Sequence, residues 1–259
     1  MPQSTQLPKY EHLWQKTLQW QPTDEQQACF QQLYEKILAG NRQLNLTRIT
    51  TPDEFWEKHL WDSLSGIAPW LQNDTYEQDG SPSDSQNASP IKVIDIGTGG
   101  GFPGVPAAIA LARTGIELTL LDSTRKKISF LQQLTEQLNI PSVCIAERAE
   151  ALGRQSEHRA QYDLVLVRAV GPASTCLEYA LPLLAIGGQA VLFRGQWHVE
   201  DTEALLPVVE LLGGELTDLQ SWNTPLTQSE RNCLFIHKIK PTPEDFPRAV
   251  GVPAKSPLT

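Results

Sequence analysis

The stretch Asp95-Ile-Gly-Thr-Gly-Gly-Gly-Phe-Pro-Gly104 decides the fold, because it follows a short apolar run at residues 91–96 and precedes an alanine-rich helical pattern. A glycine-rich turn between a strand and a helix lets the backbone approach a ligand closely, since glycine adopts positive φ angles at little cost. Strand, glycine turn and helix form the first unit of a Rossmann-like sheet. The stretch therefore predicts a ligand site at the end of the first strand.

Strands and helices continue to alternate after this turn. We predict further strands at residues 117–121, 143–146, 163–167, 189–193, 216–220 and 232–238, and helices at residues 107–112, 127–138 and 203–212. Continuous apolar strands that alternate with helices are typical of a parallel sheet covered on both faces. The sequence therefore predicts an α/β protein with a mostly parallel, doubly wound sheet.

The chain before the sheet has a different pattern. Thr23-Asp-Glu-Gln26 fits a capping box, Gly40-Asn41 fits the end of the helix that follows, and Thr51-Pro-Asp-Glu54 fits a second helix start. Residues 72–90 contain scarcely an apolar residue, which favours a flexible linker or loop. The predicted divisions are an N-terminal helical extension at residues 1–71, the linker at 72–90, the α/β domain at 91–240 and a C-terminal tail at 241–259.

Composition and charge exclude several classes of protein. The 259 residues carry a formal net charge of -9, which argues against a uniformly basic nucleic-acid-binding surface but leaves room for a local basic patch. No apolar run approaches the roughly 20 residues that a membrane span needs, and the first residues do not resemble a signal peptide. We therefore expect a cytoplasmic protein, and nothing in the sequence demands a dimer. The four cysteines form no Cys-x-x-Cys pair, so no metal site is predicted.

The glycine turn also raises the question of which ligand it binds. Residues 99–104 satisfy the dinucleotide pattern G-x-G-x-x-G, but that pattern should start at Gly97, where the sixth residue is Phe102 rather than Gly or Ala. Asp95 would crowd a pyrophosphate, whereas it suits a ligand with ammonium and sulfonium charge. Asp122 is placed either to accept hydrogen bonds from ribose hydroxyls or only to begin a helix. We expect a methyltransferase that binds S-adenosylmethionine, with a nucleotide-dependent oxidoreductase as the alternative.

Six short motifs add a more specific resemblance. They are Asn45-Leu-Thr47, His59-Leu-Trp-Asp-Ser63, Gly97-Thr-Gly-Gly-Gly-Phe-Pro-Gly104, Leu120-Leu-Asp-Ser123, Val167-Arg-Ala-Val170 and, in part, Phe193-Arg-Gly-Gln196. Together they resemble the RsmG/GidB family of bacterial 16S ribosomal RNA methyltransferases over roughly residues 30–255. The resemblance implies a Rossmann-like S-adenosylmethionine methyltransferase fold with an antiparallel last strand. It also implies methyl transfer to N7 of one guanine in 16S RNA, within the small ribosomal subunit or a precursor.

The resemblance also implies cofactor contacts. The positions that match are Gly97, Phe102, Leu120, Leu121, Asp122, Ala149, Glu150 and Arg168, and the chain's own pattern adds Asp95 and Gly99. For Phe102 ordinary packing is the alternative, for Glu150 a solvated acid, and for Arg168 a contact with the RNA backbone. His59, Asp62 and Ser63 share one face of a helix, where they either line the cofactor or guanine pocket or dock the helix on the sheet.

Basic side chains are candidates for contacts with RNA. They are Arg48, Arg125, Arg194, Arg231 and Arg248, with Lys126, Lys127 and Lys255. For the run at residues 125–127 the alternative is a solvated helix face. Many family members have Lys in place of Arg194, which suits a phosphate contact but not a titratable amine. The tail at residues 247–257 resembles that of many members and is expected near the RNA.

No catalytic acid–base pair is predicted. Guanine N7 carries an exposed lone pair, so catalysis can rest on positioning the two reactants in a site that excludes water. The alternatives that remain open are a methyltransferase for another RNA site or a small molecule, and a non-catalytic ribosome-binding protein.

Overall fold

The computed structural model of the protein describes residues 6–72, 90–113 and 115–259. The predicted linker at residues 72–90 lies, apart from its two end residues, outside the described residues. A seven-stranded sheet occupies the centre, with the strand order β3-β2-β1-β4-β5-β7-β6. Its strands are β1 Ile91–Ile96, β2 Ile116–Asp122, β3 Ser142–Ala146, β4 Tyr162–Arg168, β5 Leu184–Arg194, β6 Gly214–Asn223 and β7 Glu230–Lys238.

The sheet has the predicted direction of its strands. Strands β1 to β5 pair in parallel, whereas β7 is antiparallel to both β5 and β6, so the antiparallel last strand is confirmed. The chain builds outward from β1 to β3 and then crosses back to β4, which lies on the other side of β1. This reversal is the switch point at which open α/β sheets bind ligands, beyond the carboxyl ends of the strands.

Helices cover both faces of the sheet. They are α1 Glu11–Leu18, α2 Asp24–Leu44, α3 Pro52–Phe55, a π-helix at Trp56–Trp61, α4 Asp62–Ser65, α5 Ala68–Gln72, α6 Gly104–Ala110, α7 Arg125–Gln137, α8 Ala149–Leu152, α9 Ala173–Ala180, α10 Val199–Leu211 and α11 Val252–Lys255. In the described parts of the chain, none of these helices combines the length and the apolar character that a membrane crossing requires. The prediction missed α8, α9 and α11, which are only 4, 8 and 4 residues long.

Alternation along the strands divides the interior into two cores. Val93 and Leu118 point to one face, where they pack in a single cluster with Trp14, Phe30 and Trp56 of the N-terminal helices. Their neighbours in the strands point to the other face and pack with α9 and α10. Successive strand residues alternate between faces, which accounts for this division. The N-terminal helices therefore contribute to the core of the sheet.

The N-terminal helix signals are confirmed in part. Thr23 and Gln26 form the predicted reciprocal capping box at the start of α2. The predicted helix end at Gly40 is wrong, because α2 continues to Leu44 and ends at Asn45. A Cβ at Gly40 would lie 2.3 Å from Cε2 of Phe130, so this glycine serves the close packing of α2 on α7.

The second predicted helix start leads into an unusual helix. Pro52 stands in the first turn of α3, as predicted, but Thr51 bonds the Glu54 side chain instead of capping the backbone. From Trp56 the helix widens into a π-helix, and the Asp62 N–H donates to the Glu57 carbonyl five residues earlier. π-helical turns are rare and concentrate at functional sites. This one carries the predicted residue His59.

Candidate functional site

A cavity of 240 Å³ lies at the carboxyl edge of the sheet, beyond the ends of β1, β2 and β3. It is lined by Ile96, Gly97, Leu121, Asp122, Ser123, Glu147, Arg148, Ala149, Glu150, Val170, Tyr179 and Ala254. Five of the predicted cofactor residues are among them: Gly97, Leu121, Asp122, Ala149 and Glu150. The cavity therefore stands where the glycine turn predicted a ligand site.

The glycine turn is held tightly against β2. The N–H groups of Gly97 and Thr98 both donate to the Leu121 carbonyl, at 2.8 and 3.0 Å. Gly97 has a φ of 70°, and a Cβ there would lie 2.6 Å from Cγ2 of Val170. The turn consequently requires glycine at this position for both its backbone conformation and its packing.

Asp95 supports this turn from below. It is fully buried, and its Oδ2 accepts hydrogen bonds from Thr98 Oγ1 at 2.6 Å and Gly104 N at 2.8 Å. Its Oδ1 has no hydrogen-bond partner among the residues that the structure describes. Burial raises the pKa of Asp95 to about 6, despite the opposing effect of the two hydrogen bonds. The side chain does not line the cavity, and it fixes the loop that does.

Asp122 closes the cavity from the end of β2. Its Oδ2 accepts from the Gly99 N–H at 3.1 Å and its Oδ1 from the Thr124 N–H at 2.8 Å. Because α7 begins at Arg125, the carboxylate also stands near a helix N-terminus, while its hydrogen bonds to ribose hydroxyls stay a prediction. Gly99 contributes its N–H to this carboxylate and is not itself a lining residue.

Neighbouring strand residues divide between the cavity and the core. Leu121 lines the cavity, whereas the preceding Leu120 is fully buried and lies 2.8 Å from where a Gly104 Cβ would stand. The period of two along a strand sends these side chains to opposite faces. Of these two predicted cofactor residues, Leu121 therefore lines the cavity and the Leu120 side chain does not face it.

Glu150 is not the solvated acid of the alternative interpretation. Its side chain is 1% exposed and accepts from Arg148 Nη2 at 3.0 Å, Tyr179 Oη at 3.3 Å and Gly251 N at 2.9 Å. Burial acts to raise the pKa of Glu150, but these donors outweigh it and lower the pKa. The same carboxylate raises the pKa of Tyr179 to about 12, in addition to the larger effect of burial. Glu150 is therefore an ionised acceptor between the cavity and the C-terminal tail.

His59 and Phe102 pack together on the other side of the glycine turn. Their rings are stacked with centroids 4.2 Å apart at 8°, and the Phe55 ring lies edge-on to both. His59 Nε2 contacts Thr47 Oγ1 at 2.7 Å, and Ser63 Oγ donates to the His59 carbonyl. Burial, aided by Arg168 and Lys58, lowers the pKa of His59 to about 3. These contacts dock the helix on the turn, and Phe102 does not line the cavity.

Asp62 joins two of the predicted arginines. Its Oδ2 accepts from Arg168 Nη1 at 2.8 Å and its Oδ1 from Arg231 Nε at 3.1 Å. Arg168 also donates to the Lys58 carbonyl at 3.1 Å, and its guanidinium carbon lies 5.8 Å from the Phe102 ring centre. Arg168 is therefore directed toward the π-helix rather than into the cavity. We call Asp62, Arg168 and Arg231 the arginine cluster.

The remaining predicted RNA contacts have different surroundings. Arg48 and Arg125 are exposed, whereas Arg194 is half-buried, donates to the Gly171 carbonyl at 2.7 Å and lies over the Trp197 ring. Arg248 is bound to the fully buried Glu178, at 2.7 Å between Nη2 and Oε2. The Arg248 guanidinium anchors the tail to α9 and is 25% exposed, so its contact with RNA stays a prediction.

Sequence reasoning missed several lining residues. Glu147 and Arg148 directly follow β3, so their place at the carboxyl edge was available as a signal. Tyr179 and Ala254 carried no such signal, since one lies on the unpredicted α9 and the other in the tail. Within residues 6–72, 90–113 and 115–259, no group of three or more His, Cys, Asp or Glu side chains is arranged to hold a metal ion.

Comparisons with solved structures agree with this fold. The structure of the CurJ carbon methyltransferase aligns with a TM-score of 0.53 at 13% identity, covering 83% of this chain and 68% of that one. The CMeT domain of the citrinin polyketide synthase aligns with a TM-score of 0.52 at 11% identity, covering 83% of this chain and 66% of that one. At such low identity these similarities support the methyltransferase fold alone.

Sequence comparisons identify the family. The family model described as GidB, rRNA small subunit methyltransferase G, matches residues 26–232. A ribosomal RNA small subunit methyltransferase G of Trichormus variabilis is 53% identical over 253 residues, covering 97% of this chain and 98% of that protein. One of the same name from Synechococcus elongatus is 51% identical over 246 residues and covers 95% of each chain. The chain therefore belongs to the GidB family of small-subunit ribosomal RNA methyltransferases.

Proposed function

We propose that this protein transfers a methyl group from S-adenosylmethionine to N7 of a specific guanine in the 16S RNA of the small ribosomal subunit. The family supports the reaction class, since the related proteins are named ribosomal RNA small subunit methyltransferase G. The observation that carries the proposal is the acidic cavity beside the glycine turn. Its lining includes three carboxylates, Asp122, Glu147 and Glu150, and one guanidinium, Arg148.

The residues that line the cavity fit this cofactor. S-adenosylmethionine carries sulfonium and ammonium charge, which an acidic lining favours, whereas the pyrophosphate of a dinucleotide would meet repulsion. Asp122 is an acceptor-only carboxylate whose two oxygens retain capacity for ribose hydroxyls. Leu121, Ala149 and Ile96 provide apolar surface of the kind that an adenine ring covers. We assign Gly97, Leu121, Asp122 and Ala149 to direct contact with the cofactor.

Chemistry in this site requires no proton acceptor. When bound, S-adenosylmethionine supplies a methyl group on a cationic sulfur, and guanine N7 already presents a lone pair to it. His59, with a pKa of about 3, is neutral at physiological pH and is enclosed by Phe55 and Phe102. It therefore supports the shape of the glycine turn rather than removing a proton. The contribution of the chain is to bind, to orient and to exclude water.

The arginine cluster is the part of the site that we assign to RNA. The side chains of Arg168 and Arg231 are 15% and 26% exposed, and Asp62 holds both of them in place. Guanidinium groups fixed in this way bind phosphates or the O6 atom of guanine.

We further propose that the substrate is a folded ribosomal particle, bound by a monomer in the cytoplasm. A chain with net charge -9 binds naked RNA weakly, because phosphate neutralisation supplies most of non-specific affinity. A particle offers shape-dependent contacts in addition to charge. Arg48 and Arg125 are exposed and remain proposed contacts with its phosphates.

A methyl-transfer assay tests the proposal. Radiolabelled S-adenosylmethionine is incubated with the protein and with small subunits from cells that lack it, beside wild-type subunits and naked 16S RNA. We expect label as 7-methylguanosine in the deficient subunits alone. Label at another nucleotide, or none on any RNA from a protein that binds the cofactor, would contradict the proposal; the second result would indicate a non-catalytic ribosome-binding protein.

A further inference from the structure

The C-terminal tail, residues 241–259, is fastened to the protein along its first half by arginines. Arg154 donates to the carbonyls of Pro247 and Asp245, at 2.8 and 3.0 Å. Arg159 donates to the carbonyls of Phe246 and Thr242, at 2.8 and 3.0 Å. These bonds join the tail to the segment that follows α8, one of the helices beside the cavity.

A buried ion pair fastens the tail next. Glu178 is fully buried in α9, and its two oxygens accept four hydrogen bonds from the Arg248 backbone and guanidinium, between 2.7 and 3.1 Å. A buried carboxylate without these donors would be costly, so this part of the tail is firmly held. The chain beyond Arg248 is thereby directed toward the cavity.

The last part of the tail reaches the cavity through weaker contacts. The Gly251 N–H donates to Glu150 Oε1 at 2.9 Å, and the Pro253 carbonyl accepts from Thr175 Oγ1 at 2.9 Å. Gly251 has a φ of 84°, and Ala254, directly after Pro253, lines the cavity. Single hydrogen bonds from α8 and α9 hold residues 250–255, and Arg248 donates to the carbonyl of Ser256 directly after them, whereas an ion pair holds the part before.

We propose that residues 250–255 form the outer wall of the cofactor site, and that Glu150 and Thr175 are positioning residues which couple docking of this wall to cofactor binding. The inference rests on the proposed function, because it takes S-adenosylmethionine as the ligand of the cavity. Thr175 is 1% exposed and does not line the cavity, so it acts through the wall alone. Coupling is reciprocal: a docked wall tightens cofactor binding, and bound cofactor holds the wall in place.

Calorimetric titration of S-adenosylhomocysteine into three proteins tests the coupling. A chain ending at Ala249 keeps the Arg154 and Arg159 contacts and the Arg248–Glu178 ion pair, but it removes the wall together with the Ser256 carbonyl that accepts from Arg248. A control chain ending at Ser256 keeps the wall and the carbonyl that accepts from Arg248. Since couplings of about 5–150-fold are typical, we expect the first truncation to weaken binding about tenfold. The control should stay within twofold of the full chain.

A point variant gives the same test without deletion. Thr175→Val removes the bond to Pro253 and should weaken binding about threefold, an effect of one neutral hydrogen bond. Thr135→Val is the matched control, because Thr135 is also buried but bonds within α7 and to Ser142, and it does not line the cavity. Equal affinity of Thr175→Val and the full chain would overturn the assignment of Thr175.

Hydrogen exchange provides a readout that a purely structural role would not move. In the full chain, S-adenosylhomocysteine should increase protection of the peptide that covers residues 250–255, including the Gly251 N–H. Unchanged protection together with unchanged affinity of the shortened chain would contradict the coupling. Failure of the full chain itself to bind S-adenosylhomocysteine would contradict the proposed function, so the two results are distinguishable.

Discussion

Two regions border the carboxyl edge of the sheet, and they are held together by different kinds of contact. On one side, the π-helix and the glycine turn are joined by stacked rings and by the arginine cluster, all contributed by short motifs. On the other side, carboxylates of α8 and α9 bind the C-terminal tail. Glu178 binds Arg248, 70 residues away in sequence, and Glu150 binds the Gly251 N–H, 101 residues away. We call these the cap side and the tail side.

The difference indicates a division of labour. The tail side encloses the cavity, with Glu150 and Ala254 in its lining, whereas no residue of the π-helix lines it. The cap side instead holds two guanidinium groups in fixed positions at the same edge. We therefore expect changes on the tail side to act on cofactor affinity, and changes on the cap side to act on RNA methylation and stability.

The largest expected effect is that of Asp122→Asn at the centre of the edge. The substitution removes the charge of the carboxylate that binds the Gly99 and Thr124 N–H groups and, we propose, the ribose. Hydrogen bonds to charged groups contribute about 1.5–3 kcal/mol each, so affinity for S-adenosylhomocysteine should fall roughly 100-fold. Asp163→Asn is the control, because Asp163 also accepts a backbone N–H, from Lys92 at the amino end of β1. Titration calorimetry of both variants decides the assignment, and equal loss in both would defeat it.

Arg248→Ala should lower the free energy of unfolding by removing the ion pair that anchors the tail. Glu178 would be left buried without its charged partner, a situation that costs about 3–5 kcal/mol when both groups are fully buried. Because the Arg248 side chain is 25% exposed, we expect the free energy of unfolding to fall by about 2 kcal/mol. The control is Arg154→Ala, whose donors bind neutral carbonyls and whose loss should cost about 1 kcal/mol. Urea denaturation measures both, and an Arg248→Ala cost no larger than the control would contradict this role.

Asp62→Asn should affect the cap side without weakening cofactor binding. Arg168 and Arg231 would then face each other without a charge between them, so we expect a stability loss of about 1.5 kcal/mol. Methylation of small subunits should fall about tenfold, whereas the dissociation constant of S-adenosylhomocysteine should stay within twofold. Asp53→Asn, which removes the charge of an exposed carboxylate that accepts from Tyr10, is the control. A matching loss of cofactor affinity in Asp62→Asn would show that the two sides are not separate.

His59→Gln should give the smallest effect at neutral pH, because its consequence is confined to the pH dependence of stability in acid. The folded-state pKa of about 3 lies below the ordinary 6.5, so between these values the unfolded chain binds a proton that the folded protein excludes. Stability from His59 is therefore present above pH 6.5 and is lost as pH falls toward 3, by up to about 1.4 kcal/mol per pH unit.

The variant should lose this slope relative to the wild-type protein, as denaturation at a series of pH values would reveal. Asp95 contributes in the opposite sense, because its folded pKa of about 6 is raised, but this contribution is common to both proteins and cancels in their difference. Parallel pH profiles would contradict the enclosed, neutral state of His59.

The contrast between the two sides also explains which features could be predicted from the sequence. The glycine turn, the strand ends and the grouping of His59, Asp62 and Ser63 follow from local patterns, and they indicated the edge of the sheet at which the site lies. The widening of the helix at Trp56 was not predicted, because the apolar spacing there indicated an ordinary helix. Neither could the anchoring of Arg248, since its partner Glu178 is 70 residues away in sequence and lies on the unpredicted helix α9.

Some assignments needed the fold itself. Gly40 has the sequence signature of a helix end, yet its role is set by the Phe130 ring of α7. Leu120 and Leu121 are chemically identical, and only the alternation of β2 separates the core residue from the cavity residue. Local chemistry therefore predicted the edge and the ligand class, while side-chain direction and long-range partners required the structure.

The most direct test of the account is a crystal structure of the protein with S-adenosylhomocysteine. We expect the ribose hydroxyls within hydrogen-bond distance of Asp122, the adenine between Leu121 and Ala149, and Ala254 of the tail against the ligand. The arginine cluster should remain outside the contacts of the cofactor. A ligand bound on the cap side, or one that leaves Asp122 and Gly97 untouched, would contradict the central claim that the tail-side cavity is the cofactor site.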